Sequence, residues 1–391
     1  MPDVFISRQP LVNRQSKIIA TRLTLHLGDH SGTKDAAQIL NALGDAWPLG
    51  EKSIFVSCGK VPCDIGLLDW SVPQNATIEL SSAPFVGAEA NEFVAALQTQ
   101  QPALCLDFDA QAAKAVASGA QFRFIAFDAK AFTPEQLKAL ASKTQPYGIG
   151  VALNVDSAAG FQASLDAGMN AVASWFFKHP TTAPAKALNP GQAQIIRVLN
   201  LVRKNAEIQD IETALKNDVA LSYKLLRYIN SAGFGLSCEI QSFRHAVTIL
   251  GYDKLNKWLS LLLATASKDP MAPALMYTAL TRARLMELLA HGLVDRSEYD
   301  NLFITGAFSL LDALLGVGME HALEAMHLPE AISDALLGNG GLYGPFLDLA
   351  IACEGDDGAA IAEQAGMLGL SADQLNRAQL QALAFADTME F

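Results

Sequence analysis

The stretch NDVALSYKLLRYINSAGFGLSCEIQSFRHAVTILGYDKLNKWLSLLL, residues 217–263, decides the fold of the C-terminal half of this chain. Leu221, Leu225 and Tyr228 recur at helical spacing, which predicts a central helix with apolar sides to bury. Gly233 and Gly235 follow as a stop. The same stretch then predicts two further helices, since Ser242 can cap one that ends at Gly251 and Asp253 can cap the next.

Three segments of this stretch, LLRYINSAGFGL, IQSFRHAVTILG and LNKWLSLLL, resemble the HDOD domain, an all-helical relative of metal-dependent HD phosphohydrolases. Further on, TRARLMELLA (281–290) and ITGAFSLLDALLGVGME (304–320) are similar to the second half of that domain. The resemblance runs from about residue 190 to the end, and is typical of families that join HDOD to an EAL-like domain upstream. It implies a role in bacterial signal transduction.

Metal chemistry is not expected in this half. HD hydrolases bind their ion through a His-Asp pair and further histidines. The resemblance places that pair at Leu311-Asp312 and the upstream histidine near Thr278, so the imidazoles are missing. His321 and His327 are six residues apart, which puts them on opposite sides of a helix.

The N-terminal half alternates strand-like and helix-like runs. VFISRQPLVN and KIIATRLTLHL predict a hairpin that turns at residues 14–16. The later strand-like runs are SIFVSC, ATIELSS, ALCLDF, FRFIAFD, GIGVALNV and AVASWFF. The helical runs between them are EANEFVAALQTQ, AQAAKAVASG, TPEQLKALASK and SAAGFQASLDAG. This order predicts a parallel sheet closed, or nearly closed, into a (β/α) barrel.

This half resembles a shortened EAL domain, the barrel that in active members hydrolyses cyclic di-GMP, over about residues 4–180. The resemblance places the glutamate that names the family at Arg22 and its phosphate-contacting arginine at His26. The acidic residues that remain at strand ends are Glu79, Asp107 and Asp128. An ion pair from Arg22 to Glu79 or Asp107 is expected, and a guanidinium there would repel a metal ion.

Composition limits the function classes. The chain has 391 residues and a formal charge of −12, which disfavours a general binder of nucleic acid or anionic membranes. Its five cysteines lack the paired spacing of a zinc site or a disulfide framework, so reduced thiols are expected. The longest apolar run is too short to span a bilayer and no signal core begins the chain, so we expect a cytoplasmic protein without membrane insertion.

The predicted organisation is α/β plus all-α. Residues 1–180 form a degenerate EAL-like (β/α) barrel, residues 181–190 a proline-containing linker, and residues 191–391 an all-helical HDOD domain. The predicted partner surface lies on the HDOD domain at Tyr223, Arg227, Asn230 and His245. Arginine and tyrosine are enriched where proteins bind each other, but the flanking Leu226 favours packing of Tyr223 and Arg227 against neighbouring helices.

The sequence predicts a non-enzymatic scaffold or regulator linked to cyclic di-GMP signalling, because both domains have lost catalytic positions. We expect no cofactor and no bound metal. The expected partners are signalling enzymes, sensor kinases or response regulators, or a second copy of the chain. The alternative is a receptor that binds cyclic di-GMP at the barrel mouth, through Glu79, Asp107 and Asp128, without hydrolysis.

Overall fold

The computed structural model describes residues 4–27, 32–59, 61, 63–178, 190–216, 240, 242–265, 269–324, 326 and 328–389. The chain forms two compact units. The first, the barrel unit, comprises Met1–Phe177 and Ala352–Leu380. The second, the helical unit, comprises Lys178–Ile351 and Gln381–Phe391.

Eight strands close the barrel in chain order: β1 (Phe5–Asn13), β2 (Ile18–His26), β3 (Ser53–Ser57), β4 (Ala76–Leu80), β5 (Ala103–Asp107), β6 (Phe124–Asp128), β7 (Ile149–Leu153) and β8 (Ala171–Ala173). β1 is antiparallel to β2 and β8, whereas the pairs from β2 to β8 are parallel. The predicted hairpin is confirmed, with Ser16 in the left-handed region at φ 59° in its turn.

Among the described residues, five α-helices lie between the strands of the barrel: α1 (Thr33–Ala42), α2 (Ala90–Gln100), α3 (Ala112–Ala117), α4 (Pro134–Thr144) and α5 (Ala158–Asp166). Their starts follow local chemistry. Thr133 and Gln136 form a capping box on α4, with Pro134 at the first helical position, and Ser157 caps α5. The last strand is shorter than expected, because the hydroxyl of Ser174 donates to the carbonyl of Val155 and accepts from the amide of Phe176.

In the helical unit, all regular elements of the described residues are helices. These are α6 (Pro190–Arg203), α7 (Ile208–Lys216), α8 (Phe243–Thr265), α9 (Ala272–Leu289), α10 (Tyr299–Phe308), α11 (Leu311–Leu315), α12 (Met319–Glu324), α13 (Glu330–Leu336) and α14 (Gly344–Ala352). The predicted stop at Gly251 is confirmed as a kink within α8, where φ is 75°. The combination of a (β/α) barrel and an all-helical region confirms the predicted fold class.

The C-terminal boundary differs from the predicted organisation. Two last helices, α15 (Gly358–Met367) and α16 (Ala372–Asp387), follow α14. The segment Ala352–Leu380, which the sequence analysis assigned to the helical domain, belongs to the barrel unit. We call this segment the C-terminal strap. The predicted linker at residues 181–190 lies outside the described residues except for Pro190.

The strap bonds to the edge of β1 that does not face β2. That edge pairs with β8 only at residues 11–13. Nearer the start of β1, Asn376 accepts from the amide of Ile6 at 3.1 Å and donates to the carbonyl of Val4 at 2.7 Å. The side chain of Gln379 donates to the carbonyl of Ile6 at 2.8 Å. Strap side chains therefore satisfy backbone groups that the sheet leaves unpaired, as a covered strand edge requires.

A buried ion pair joins the same two parts of the barrel unit. Arg8 of β1 and Glu354 of the strap lie 3.0 Å apart, and their side chains are 3% and 0% exposed. Arg8 also donates to the side-chain oxygen of Gln379 at 3.0 Å, and its amide donates to the carbonyl of Cys353 at 2.8 Å. Loss of either member would leave the other charge buried without a counter-charge, which strongly destabilises a folded protein.

None of the helices in the described part of the chain is long and apolar enough to cross a bilayer.

Candidate functional site at the barrel mouth

The barrel interior carries a layer of core side chains with a polar layer above it. The core layer includes Ala20, Phe55, Cys105 and Ala126. Because side chains alternate along a strand, the residue two positions further on faces the same side. The polar residues placed in this way at the carboxyl end of the barrel, which we call the mouth, are Arg22, Ser57, Asp107 and Asp128, and Glu79 lies in register between Ser57 and Cys105.

Arg22 and Glu79 form a two-pronged ion pair within the mouth. The Nε of Arg22 lies 2.7 Å from one carboxylate oxygen of Glu79 and its Nη2 lies 2.5 Å from the other. Nη2 also contacts the hydroxyl of Ser57 at 3.3 Å. Burial alone would lower the pKa of Arg22, but the charge and hydrogen bonds of Glu79 outweigh it and raise that pKa above its usual value. The expected ion pair is therefore confirmed, with Glu79 as the partner.

Asp107 lies in the same layer but lacks an ion pair like the one between Arg22 and Glu79. Its Oδ1 is shielded from solvent and has no hydrogen-bond partner in the part of the chain that the structure describes. Burial raises the pKa of Asp107 well above its usual value, the charge of Glu79 adds to the rise, and Arg22 opposes it. A carboxylate in this condition favours its protonated form, or a cation that supplies the missing interaction.

Asparagine at this position should therefore stabilise the protein. We expect Asp107→Asn, in buffer without divalent ions, to raise the free energy of unfolding near neutral pH by about 1–2 kcal/mol, since it removes an unsatisfied buried charge. The folded pKa lies above the unfolded value of 3.8, so the native state binds more protons and stability falls as pH rises through that window.

The measurement is Tm against pH for the two proteins. The difference in Tm between the two proteins should widen as pH rises above about 3, below which Asp107 is largely protonated in both states. Parallel curves would show that Asp107 does not titrate with a raised pKa. Asp128→Asn is the matched control, because this carboxylate is not isolated in the same way.

Asp128, the fourth of these mouth residues, bonds to its own turn. Its carboxylate accepts the amide of Lys130 at 2.9 Å, which closes the turn after β6. A short aspartate side chain commonly caps its own turn in this way. Of the three predicted carboxylates, the structure therefore brings Glu79 and Asp107 together around Arg22.

Other groups near the mouth were missed by the sequence analysis. Asp356, in the strap, is close enough for its charge to contribute to the raised pKa of Arg22. Cys58 and Cys63 follow β3, and a hydrogen bond between their thiols, together with burial, raises the pKa of Cys63. The four described cysteines are free and buried, in agreement with the expected reduced thiols. The CGKVPC spacing was the available signal for the thiol pair.

The predicted partner surface is only partly within the described residues. Tyr223, Arg227 and Asn230 lie outside them. His245 is half-buried, and its amide donates to the hydroxyl of Ser242 at 3.1 Å, which confirms the predicted cap. The surface itself stays a prediction.

Comparison with known proteins gives one family and several relatives. Residues 189–312 match the HDOD domain family, which confirms the predicted HDOD domain. The chain is 28% identical over 233 residues to a Vibrio cholerae protein named cyclic di-GMP phosphodiesterase CdgJ, covering 59% of this chain and 54% of that protein. It is 27% identical over 216 residues to the uncharacterized protein YuxH of Bacillus subtilis, covering 52% of each. The chain thus spans about half the length of the curated relatives it matches.

Solved structures similar to this chain are EAL domains and phosphodiesterases. The FimX EAL domain from Pseudomonas aeruginosa, bound to c-di-GMP, matches 46% of this chain and 90% of its own at 16% identity, with a TM-score of 0.35. The PaMucR phosphodiesterase, in complex with c-di-GMP, matches 46% of this chain and 98% of its own at 13% identity, with a TM-score of 0.36.

One prediction is contradicted by these comparisons. The sequence predicts that the chain is not an enzyme, yet a relative 28% identical to it is named a cyclic di-GMP phosphodiesterase. The prediction depends on a residue-by-residue resemblance to the EAL barrel, in which single substitutions such as Arg22 indicate loss of function. The structure keeps the carboxylates of Glu79 and Asp107 in one layer of the mouth, so loss of catalytic residues is not shown.

Proposed function

We propose that this chain acts in cyclic di-GMP signalling as a regulator that works through contacts with other proteins. The observation that supports it best is the ion pair at the mouth, because Arg22 already engages both carboxylate oxygens of Glu79. A divalent ion that used Glu79 would have to displace a buried guanidinium from it. The HDOD match and the relative named as a cyclic di-GMP phosphodiesterase support the choice of pathway.

Hydrolysis of cyclic di-GMP is the second candidate function. It is favoured by the name of the Vibrio cholerae relative and by Oδ1 of Asp107, which lacks a partner. In this role Asp107 and Glu79 would help hold divalent ions, which supply a water activated for attack on phosphorus. Arg22 would turn from Glu79 toward the phosphate, for which a guanidinium fork is well suited.

One set of variants tests both functions. Wild type, Glu79→Gln and Asp107→Asn are expressed as full chains in a bacterium that carries a reporter of cyclic di-GMP output, with Asp128→Asn as the control. The purified proteins are assayed for loss of cyclic di-GMP with Mg²⁺ or Mn²⁺, and their folding is checked by circular dichroism.

For a regulator that works by protein contact, we expect wild type to shift the reporter and the folded variants to shift it equally. If wild type hydrolyses the nucleotide, and Glu79→Gln and Asp107→Asn lose at least ~100-fold in rate while Asp128→Asn does not, the second function replaces the first. A wild-type protein with no effect on the reporter and no turnover contradicts both.

A further inference from the structure

Arg203 is an arginine with an unusual environment at the end of α6. Its Nε donates to the side-chain oxygen of Asn256 at 2.8 Å. Its Nη1 and Nη2 are shielded from solvent and have no hydrogen-bond partner among the described residues. Each of these nitrogens carries two N–H donors, so most of the hydrogen-bonding capacity of the guanidinium is unused.

Two of the other buried arginines among the described residues have a carboxylate, while Arg282 donates to the hydroxyl of Ser309 at 2.9 Å. Arg8 pairs with Glu354 and Arg22 pairs with Glu79. The chain has 40 acidic residues against 28 lysines and arginines, so carboxylates are in excess, yet none among the described residues pairs with Arg203. Within the described residues, the other interaction of the Arg203 guanidinium is with the ring of Phe308, whose centroid lies 5.7 Å away. A cation–π contact of this kind compensates only a small part of the desolvation of a charge.

A cavity of about 470 Å³ in the helical unit lies beside Arg203. Its polar lining includes Asn205, Asn256, Asn301 and Tyr252, and its apolar lining is Val202, Leu328, Pro329 and Ile332. No acidic side chain is among the described residues that line it. The nearby carboxylate of Glu298 accepts from Asn301 at 3.2 Å and from the hydroxyl of Tyr343, so it is already engaged.

The charge of Arg203, beside this cavity, is maintained at neutral pH. Burial lowers the pKa of Arg203 to about 9, which still leaves the guanidinium protonated. A positive charge that lacks a counter-charge, next to a cavity of the size that holds small ligands, is an incomplete site for an anion.

We propose that this cavity binds a small organic molecule through a single carboxylate, which pairs with Arg203 when the guanidinium turns from its shielded position toward the cavity. The flat fork of a guanidinium matches the two oxygens of a carboxylate. One cation balances one negative charge, whereas a phosphate monoester would bring a second charge that nothing in the lining neutralises. Amide groups of the lining can orient the polar part of the ligand, and the Leu328, Pro329 and Ile332 side can cover its apolar part. This proposal is independent of the barrel mouth and of the function proposed for it.

Thermal unfolding of the full chain tests the proposal with defined probes. Sodium benzoate and sodium acetate are titrated at constant ionic strength set with sodium chloride, and inorganic phosphate is titrated in parallel. The variants are Arg203→Met, Arg203→Lys, and the control Arg197→Met, which removes an exposed arginine from the same helix.

We expect the carboxylates to raise the Tm of wild type and of Arg197→Met along a saturating curve, by about 3 °C at tenfold excess over Kd. Arg203→Met should show no rise in Tm. Arg203→Lys keeps the charge but not the fork, so it should need at least ~10-fold more carboxylate for the same rise in Tm. In buffer with chloride alone, Arg203→Met should be as stable as wild type or more stable, because it removes an uncompensated charge.

Two results overturn the proposal. One is an equal carboxylate response in wild type and both Arg203 variants, which shows that the effect arises elsewhere or from salt. The other is a saturating response to phosphate with none to benzoate or acetate, which assigns the cavity to another anion. If Arg203→Met does not fold, the comparison of Arg203→Lys with Arg197→Met decides between the outcomes.

Discussion

Arg8→Met is expected to lower the free energy of unfolding by about 3–5 kcal/mol, because it leaves the carboxylate of Glu354 in the protein interior without its counter-charge. The Glu354 side chain is 0% exposed, so water cannot take over the role of the guanidinium. The substitution also removes a donor to Gln379, whose amide bonds to the backbone of β1. Chemical denaturation followed by circular dichroism measures the change.

An exposed pair of the same chemistry provides the control. Arg14 and Asp166 lie 3.1 Å apart with side chains 54% and 59% exposed, so Arg14→Met should change stability by less than about 1 kcal/mol. The double variant Arg8→Met with Glu354→Met should lose less than the sum of the two single variants, since it leaves neither charge buried alone. Equal losses for Arg8→Met and Arg14→Met would mean that the strap does not hold β1 through this pair.

Gly306→Ala should be nearly as disruptive, with a loss of about 3 kcal/mol or more. Gly306 lies in α10 where this helix crosses α9, and an added methyl group would meet the Cα of Ala283 at 2.5 Å and its amide nitrogen at 2.6 Å. These are backbone atoms, which cannot rotate away as a side chain can. The two helices would have to separate, which would open the core around them.

Gly366→Ala is the matched control for that change. Gly366 is also a helical glycine, in α15, but no described atom beyond its chain neighbours and its own helix backbone lies within 4 Å of the position that its methyl group would take. Alanine is the better helix former, so this variant should be neutral or more stable by up to about 1 kcal/mol. A thermal scan of each variant gives its Tm. Similar Tm values for Gly306→Ala and Gly366→Ala would contradict a close crossing of α9 and α10.

Local patterns in the sequence were enough for the main elements of the fold. Alternation along strands and the apolar stripes of helices set which side of each element is buried, so the barrel and the helical region could be predicted. The turn at Ser16 and the breaks at Gly251 follow from backbone preferences of a few neighbouring residues. The Arg22–Glu79 pair was within reach because both residues end up in one layer of a barrel whose strand order was predictable.

Local patterns could not predict that the strap packs on the barrel. Its helices have the same periodicity as those of the helical unit, and periodicity shows that a face is apolar without showing what covers it. The contact between Arg8 and Glu354 joins residues 346 positions apart. A pairing so distant leaves no trace in local composition, and it changes which residues belong with the barrel.

By itself, then, the sequence determined the two kinds of architecture and the carboxylates that stand at strand ends, because these depend on neighbours along the chain. Tertiary structure decided which carboxylates act together, since Asp107 lies unpaired beside the Arg22–Glu79 pair while Asp128 closes its own turn. It also decided that Arg203 lies next to a cavity without a counter-charge. Burial and the absence of a partner belong to the packed molecule, in which segments far apart in sequence exclude water together.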